Sequence, residues 1–125
     1  MANSTIENIK KDIDNAENIL DIAYPAIREG RIILKSLNEL GKAANSLLPL
    51  LNKKEIPKVK KIIELVERRK KSPMEFSRKN RAVIMQENLE TESITPDNVR
   101  RYILDLKEAL KSIENSQKTP PFSQN

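Results

Sequence analysis

The chain has 125 residues, with 23 Lys and Arg against 18 Asp and Glu, and no His, Cys or Trp. That composition excludes a thiolate nucleophile, a disulfide, an imidazole acid or base, a Ser-His-Asp triad and the usual kind of zinc site. With 15 Ile, 13 Leu, 4 Val, only four aromatic residues and two Gly, the core must be aliphatic, which suits packed helices better than a β-sandwich.

The first helix is expected to open on the capping box Ser4-x-x-Glu7. Behind it Ile6, Ile9, Ile13, Ala16, Leu20, Ala23 and Ile27 recur in steps of three and four as one apolar stripe. Pro25 predicts a kink or brief break near residues 22–24, with the end at Gly30. A second helix over residues 31–51 carries Ile33, Leu37, Leu40, Ala44, Leu47 and Leu51, with Gly41, Ala43 and Ala44 as a small patch where another helix can come close. Asn52-Lys-Lys-Glu is the exit turn. The third helix starts around Pro57 and runs to Lys71, with Val59, Ile62, Ile63 and Val66 inward and Lys60/Glu64, Glu64/Arg68 and Glu67/Lys71 one turn apart on the surface.

Pro73 stops that helix, and the period changes. Residues 74–86 read as a hairpin with its turn at Lys79-Asn80, Asn80 tolerating the positive φ of a tight turn. Residues 87–93 read as an acidic loop. Thr95-Pro96-Asp97 then starts a last helix, with Val99, Ile103, Leu106, Leu110 and Ile113 inward, ending near Asn115. The expected fold is mainly α, an antiparallel four-helix bundle with a small β-hairpin between helices 3 and 4. It forms one domain over residues 1–115, followed by a disordered tail over 116–125.

Charge is distributed unevenly. Residues 1–52 hold 6 bases and 7 acids, residues 53–81 hold 12 and 4, and residues 82–125 hold 5 and 7. Within the basic segment Lys58, Lys61, Arg68, Arg69, Lys70, Lys71, Arg78, Lys79 and Arg81 are the candidate contacts to an anionic partner, an RNA or DNA backbone or an acidic protein. The bland alternative is a solvated face. Phe76 is the one aromatic residue among the bases, so a base-stacking platform is not expected. The apolar stripe runs unbroken through Gly41, which argues against a helix-turn-helix with the hairpin as its wing.

Asp14, Glu17 and Asp21 on one helix face, and Glu87, Glu90 and Glu92 in the acidic loop, lack the spacing of a calcium loop, and no Gly-rich phosphate loop exists. No catalytic residue, metal or cofactor is therefore predicted. The apolar runs are too short to span a bilayer and the polar start is unlike a signal peptide, so a cytoplasmic protein is expected.

Ala23-Tyr24-Pro25 before a Gly break, Leu34-x-x-Leu37-x-x-Leu40-x-x-Ala43, and Lys71-Ser72-Pro73-Met74-Glu75-Phe76-x-Arg78-Lys79 followed by Val83-Ile84 resemble segments of small uncharacterised archaeal helical proteins, distantly similar to HEPN-type four-helix domains. Catalytic members of that group share an Arg-x(4–6)-His motif, which a chain without His cannot carry. The resemblance implies a non-nuclease member that binds a nucleotide, RNA or a protein, often as a dimer. The reading is a non-enzymatic interaction module contacting an anionic partner through residues 53–81. The alternative is an assembly subunit completing a homo- or hetero-oligomeric helical bundle.

Overall fold

The computed structural model describes residues 2–86 and 88–118. The chain forms α1 (Ala2–Asn18), the single-turn α2 (Tyr24–Ile27), α3 (Gly30–Leu47), α4 (Ile56–Lys71), the strands β1 (Glu75–Ser77), β2 (Ala82–Met85) and β3 (Thr91–Ile94), and α5 (Pro96–Lys118). It is mainly helical, with one small antiparallel sheet in the order β1-β2-β3.

Helix α1 starts at Ala2, so Ser4 lies inside it and is not its cap; Ala and Asn ahead of Ser4 do not stop a helix. The break expected at Pro25 is an expansion: the ladder widens into a π turn over Ile19–Ala23. Proline has no N–H to give to the preceding turn, and the wider pairing accommodates its ring while the chain stays helical. The extra residue rotates everything after it. Leu20 and Tyr24 are buried, Ala23 is half-buried, and Ile27, expected inward, is 45% exposed.

The helical run ends at Arg28, not at Gly30. Arg28 is left-handed (φ 53°, ψ 53°), and its N–H bonds the Tyr24 carbonyl at 2.6 Å. Gly30 opens α3, at a point where an added Cβ would collide with the backbone carbonyl of Arg81. Glycine is needed here for close approach of two backbones.

Helix α3 is the centre of the core: Ile33, Leu37, Leu40, Ala43, Ala44 and Leu47 are fully buried along it. It ends in a 3₁₀ turn over Leu48–Leu50 around Pro49, which leaves Leu51 half-buried beyond it. The small patch serves as expected, since a Cβ on Gly41 would sit 3.0 Å from Val66 Cγ2 of α4. Buried Ser36 ties α3 to α1, its hydroxyl donating to the Ala16 carbonyl at 2.7 Å. Asn52 shapes the α3–α4 turn by accepting the N–H groups of Lys54 and Glu55 at 3.1 and 3.3 Å. Helix α4 then carries Pro57 in its first turn and buries Val59, Ile62, Leu65 and Val66. Each such Leu or Ile taken out of water stabilises the fold by roughly 1.5–3 kcal/mol.

The hairpin is present, with Phe76 opposite Val83 and Ser77 opposite Ala82. Asn80 does not take a positive φ; among the described residues only Arg28 and Leu89 (φ 72°) do. Arg78 N–H reaches the Arg81 carbonyl at 2.9 Å, but the Arg78 carbonyl accepts the N–H of Gly30 at 2.6 Å. Docking thus takes up the acceptor that would close a tight two-residue turn, and the turn needs no left-handed residue. The stretch expected as an acidic loop contains a third strand, with Ala82 opposite Ile94 and Ile84 opposite Glu92. Only Ile94 of its four residues is buried, so it carries almost none of the alternation that marks a strand.

Helix α5 is capped as expected at Thr95, whose hydroxyl accepts the Asn98 N–H at 3.1 Å while Asn98 Oδ1 accepts the Thr95 N–H at 3.0 Å. This is a capping box with Asn in the place of Glu. The helix continues to Lys118, past the expected end at Asn115; of the tail expected to be disordered, residues 119–125 lie outside the described residues. Lys10 pairs with Glu114 at 2.7 Å and Glu17 with Lys107 at 2.8 Å. Moving from 10 to 17 along α1 is matched by moving from 114 to 107 along α5, so these two helices run antiparallel with a two-turn repeat.

Candidate anion-binding surface

The sheet register decides which bases of the 53–81 segment keep a free charge. Side chains alternate between faces, and directly paired residues share one, so Glu75 and Ser77 of β1, Ala82 and Ile84 of β2, and Glu92 and Ile94 of β3 line a common face. Two consecutive arginines at the end of α4 meet the two carboxylates on that face. Arg68 forks onto Glu92 with two bonds of 2.9 Å. Arg69 forks onto Glu75 at 3.1 and 3.3 Å and also donates to Asn38 Oδ1 at 2.8 Å. The hydrogen-bonded Glu92 carboxylate raises the Arg68 pKa above its ordinary value, against the opposing effect of partial burial. Burial raises the pKa of the neighbouring Tyr102 phenol, with the Glu92 charge adding to the effect.

Other candidates are also engaged. Lys58 lies 3.5 Å from Glu108, and Lys70 lies 3.5 Å from Glu67. The surface pairs expected one turn apart on α4 give way for Arg68, which turns to the sheet. Lys71 borders a cleft of about 500 Å³ that it shares with Ile63, Glu64, Glu67, Arg68 and residues 86 and 88. Two carboxylates balance two cations there, so the cleft holds no net positive charge. Lys61 is exposed on α4, and its ammonium has no partner among the described residues.

The hairpin turn is different. Arg78, Lys79 and Arg81 are all exposed, and among the described residues no carboxylate or hydrogen-bonding group meets their side chains. Their backbone is held firmly. Tyr24 Oη donates to the Lys79 carbonyl at 2.5 Å, Gly30 N–H to the Arg78 carbonyl at 2.6 Å, and Arg31 N–H to Ser77 Oγ at 3.1 Å. Those contacts set the turn against the α2–α3 junction, bringing Arg28 and Arg31 beside it. Arg28 is exposed with an unpaired side chain among the described residues; Arg31 bonds Glu29. Counting charge by segment hides these two, because residues 1–52 are on balance acidic. The available signal was local: Arg28 and Arg31 flank the one glycine at which that part of the chain can be approached closely.

Several acidic residues of the two clusters are committed to ion pairs. Glu17 is taken by Lys107 and Asp21 by Arg100 at 2.6 Å, Glu92 by Arg68, and Glu87 lies outside the described residues. Among the described residues no three carboxylates come together in a way that could hold a metal ion, and no helix is long and apolar enough to cross a membrane. Comparison with protein-family profiles, with curated proteins and with solved structures finds no match for the chain.

Proposed function

We propose that the protein is a non-enzymatic interaction module, an antiparallel four-helix bundle whose basic surface contacts an anionic partner. The observation that carries this reading is the unpaired state of Arg78, Lys79 and Arg81 on a turn held by backbone bonds to another part of the chain. Where the fold uses a base to hold itself together, as at Arg68 and Arg69, it supplies a carboxylate. At the turn it supplies none among the described residues, so the charge is available to a ligand at little cost in lost intramolecular pairing. The assembly alternative gains less support, because the most exposed large apolar side chains, Ile22, Leu89 and Leu104, stand singly on separate elements and give no stripe along one helix for a partner to bury.

A fluorescence titration of the intact protein with single- and double-stranded RNA and DNA and with polyglutamate tests the reading. Binding at low salt that weakens steeply as salt rises is expected. Absence of binding to every polyanion at low salt would remove it.

A further inference from the structure

The anion site is composite: we infer that Arg28 and Arg31, from the α2–α3 junction, complete it together with Arg78, Lys79 and Arg81 of the hairpin turn, and that its ligand is the phosphate backbone of a nucleic acid. This inference rests on the functional reading above and narrows it to one place and one ligand class.

Three observations place the two halves together. Gly30 donates to the Arg78 carbonyl, Arg31 N–H to Ser77, and Gly30 Cα lies against the Arg81 carbonyl closely enough to exclude a Cβ. Arg28 is two residues from that contact, within about 7 Å of backbone. Residues 27–31 and 78–81 together hold five bases and one acid, Glu29. The α3 N–H groups at this point are already engaged by the hairpin and by the Glu29 carbonyl, so the site consists of side-chain cations, not a helix terminus.

Arg28 supplies the strongest hint of purpose. A left-handed backbone position favours Gly or Asn, and an L-residue with a long side chain is strained there. Arg28 occupies it with φ 53°, and its guanidinium repays nothing in contacts with the described residues. One helical turn earlier, the chain passes through a π turn over Ile19–Ala23, a form that recurs at functional sites. A residue that burdens the fold and holds an exposed charge is explained by something outside the fold.

The chemistry favours phosphate. Four of the five cations are arginines, whose planar forks match phosphate oxygens. The turn 77–81 reads Ser-Arg-Lys-Asn-Arg, all exposed. It lacks the apolar centre a protein interface needs but has the polar, positive character of a nucleic-acid interface. Ile27, directly before Arg28, and Phe76, two residues before Arg78, are 45% and 39% exposed, so the cations have single apolar neighbours, and the vesicle arm of the test separates a membrane surface from a nucleic acid. Of the aromatic side chains near the turn, Tyr24 is buried and Phe76 is a single ring, 39% exposed, short of a base-stacking platform. Contact is therefore with the backbone, and affinity is insensitive to base sequence.

The test compares four proteins in the same titration: wild type, Arg28→Gly, the turn variant Arg78→Gln/Lys79→Gln/Arg81→Gln, and the α4 control Lys60→Gln. Thermal melting of each is recorded alongside. For the wild type, the four unpaired cations, Arg28, Arg78, Lys79 and Arg81, correspond to a slope of about −3 to −4 in log affinity against log salt on duplex DNA, Arg31 being bonded to Glu29. Arg28→Gly is expected to lose about one from that slope, and the turn variant about three. The α4 control keeps the wild-type slope. Arg28→Gly is also expected to melt no lower than wild type, because glycine relieves the left-handed strain. A variant that binds less while folding at least as well cannot owe its loss to unfolding. If the wild type binds nucleic acid but Arg28→Gly and the turn variant match it while the α4 control weakens, the composite site is wrong and the wider reading stands. If the wild type binds polyglutamate or anionic vesicles of phosphatidylserine and no nucleic acid, the ligand assignment is overturned. If it binds no polyanion at all, both fall.

Discussion

The Tyr24 hydroxyl donates to the main-chain carbonyl of Lys79, 55 residues later, at 2.5 Å. Tyr24 reaches that position only because the π turn before it moves the inward face on by one residue. Tyr24→Phe keeps the buried ring and removes the bond. Since the freed carbonyl lies at an exposed turn and can turn to water, the loss should be about 0.5–1.5 kcal/mol, read by urea denaturation. Faster amide exchange at residues 78–81 than in α3 should accompany it.

The two glycines predict opposite outcomes. A Cβ at Gly30 meets backbone, the Arg81 carbonyl, which cannot move without carrying the hairpin with it. Gly30→Ala should therefore destabilise by about 2 kcal/mol or more. At Gly41 the neighbour is a Val66 methyl at 3.0 Å, and the crowding is offset by a helix propensity gain of about 1 kcal/mol. Gly41→Ala should melt close to wild type, and a large loss there would show that the α3–α4 contact is tighter than a side-chain adjustment can absorb.

The Arg68–Glu92 fork joins α4 to β3 with both side chains partly exposed. A double-mutant cycle with Arg68→Met and Glu92→Gln should return a coupling of about 0.5–1 kcal/mol, shrinking as salt is added. A coupling that does not respond to salt would show that the pair is shielded from solvent.

Asp12 carries a pKa raised first by burial and then by the nearby Glu39 charge, with Lys42 and Lys11 opposing. A carboxyl held above its unfolded value binds more protons folded than unfolded across the interval between the two, so its contribution to stability falls as pH rises through that interval. Asp12→Asn should therefore melt slightly higher than wild type at pH near 7. It should melt no higher at a pH below the ordinary carboxylate value, where Asp12 is protonated in both states.

The helices and most of the core are legible in the residue pattern alone. A sustained period of three and four residues admits only one secondary structure, and aliphatic residues without aromatics admit few other cores. The Thr95 cap and the hairpin are legible there too, as is the absence of every mechanism that needs His or Cys. Signals with one neighbour in sequence and another in space were misleading. Gly30 reads as a helix end, but its missing side chain serves the Arg81 backbone. Ile27 reads as core, but the π turn rotates it outward. The strand at residues 91–94 has too little apolar pattern to be seen until β2 pairs with it.

The same limit applies to the candidate site. Twelve bases in residues 53–81 are visible by counting, but counting cannot say which are neutralised. That was decided by the register of the sheet, which places Glu75 and Glu92 where Arg68 and Arg69 end, and by the docking of the turn, which adds Arg28 and Arg31 from an acidic segment. Charge belongs to residues, but its availability depends on distances between them, and only the folded chain sets those.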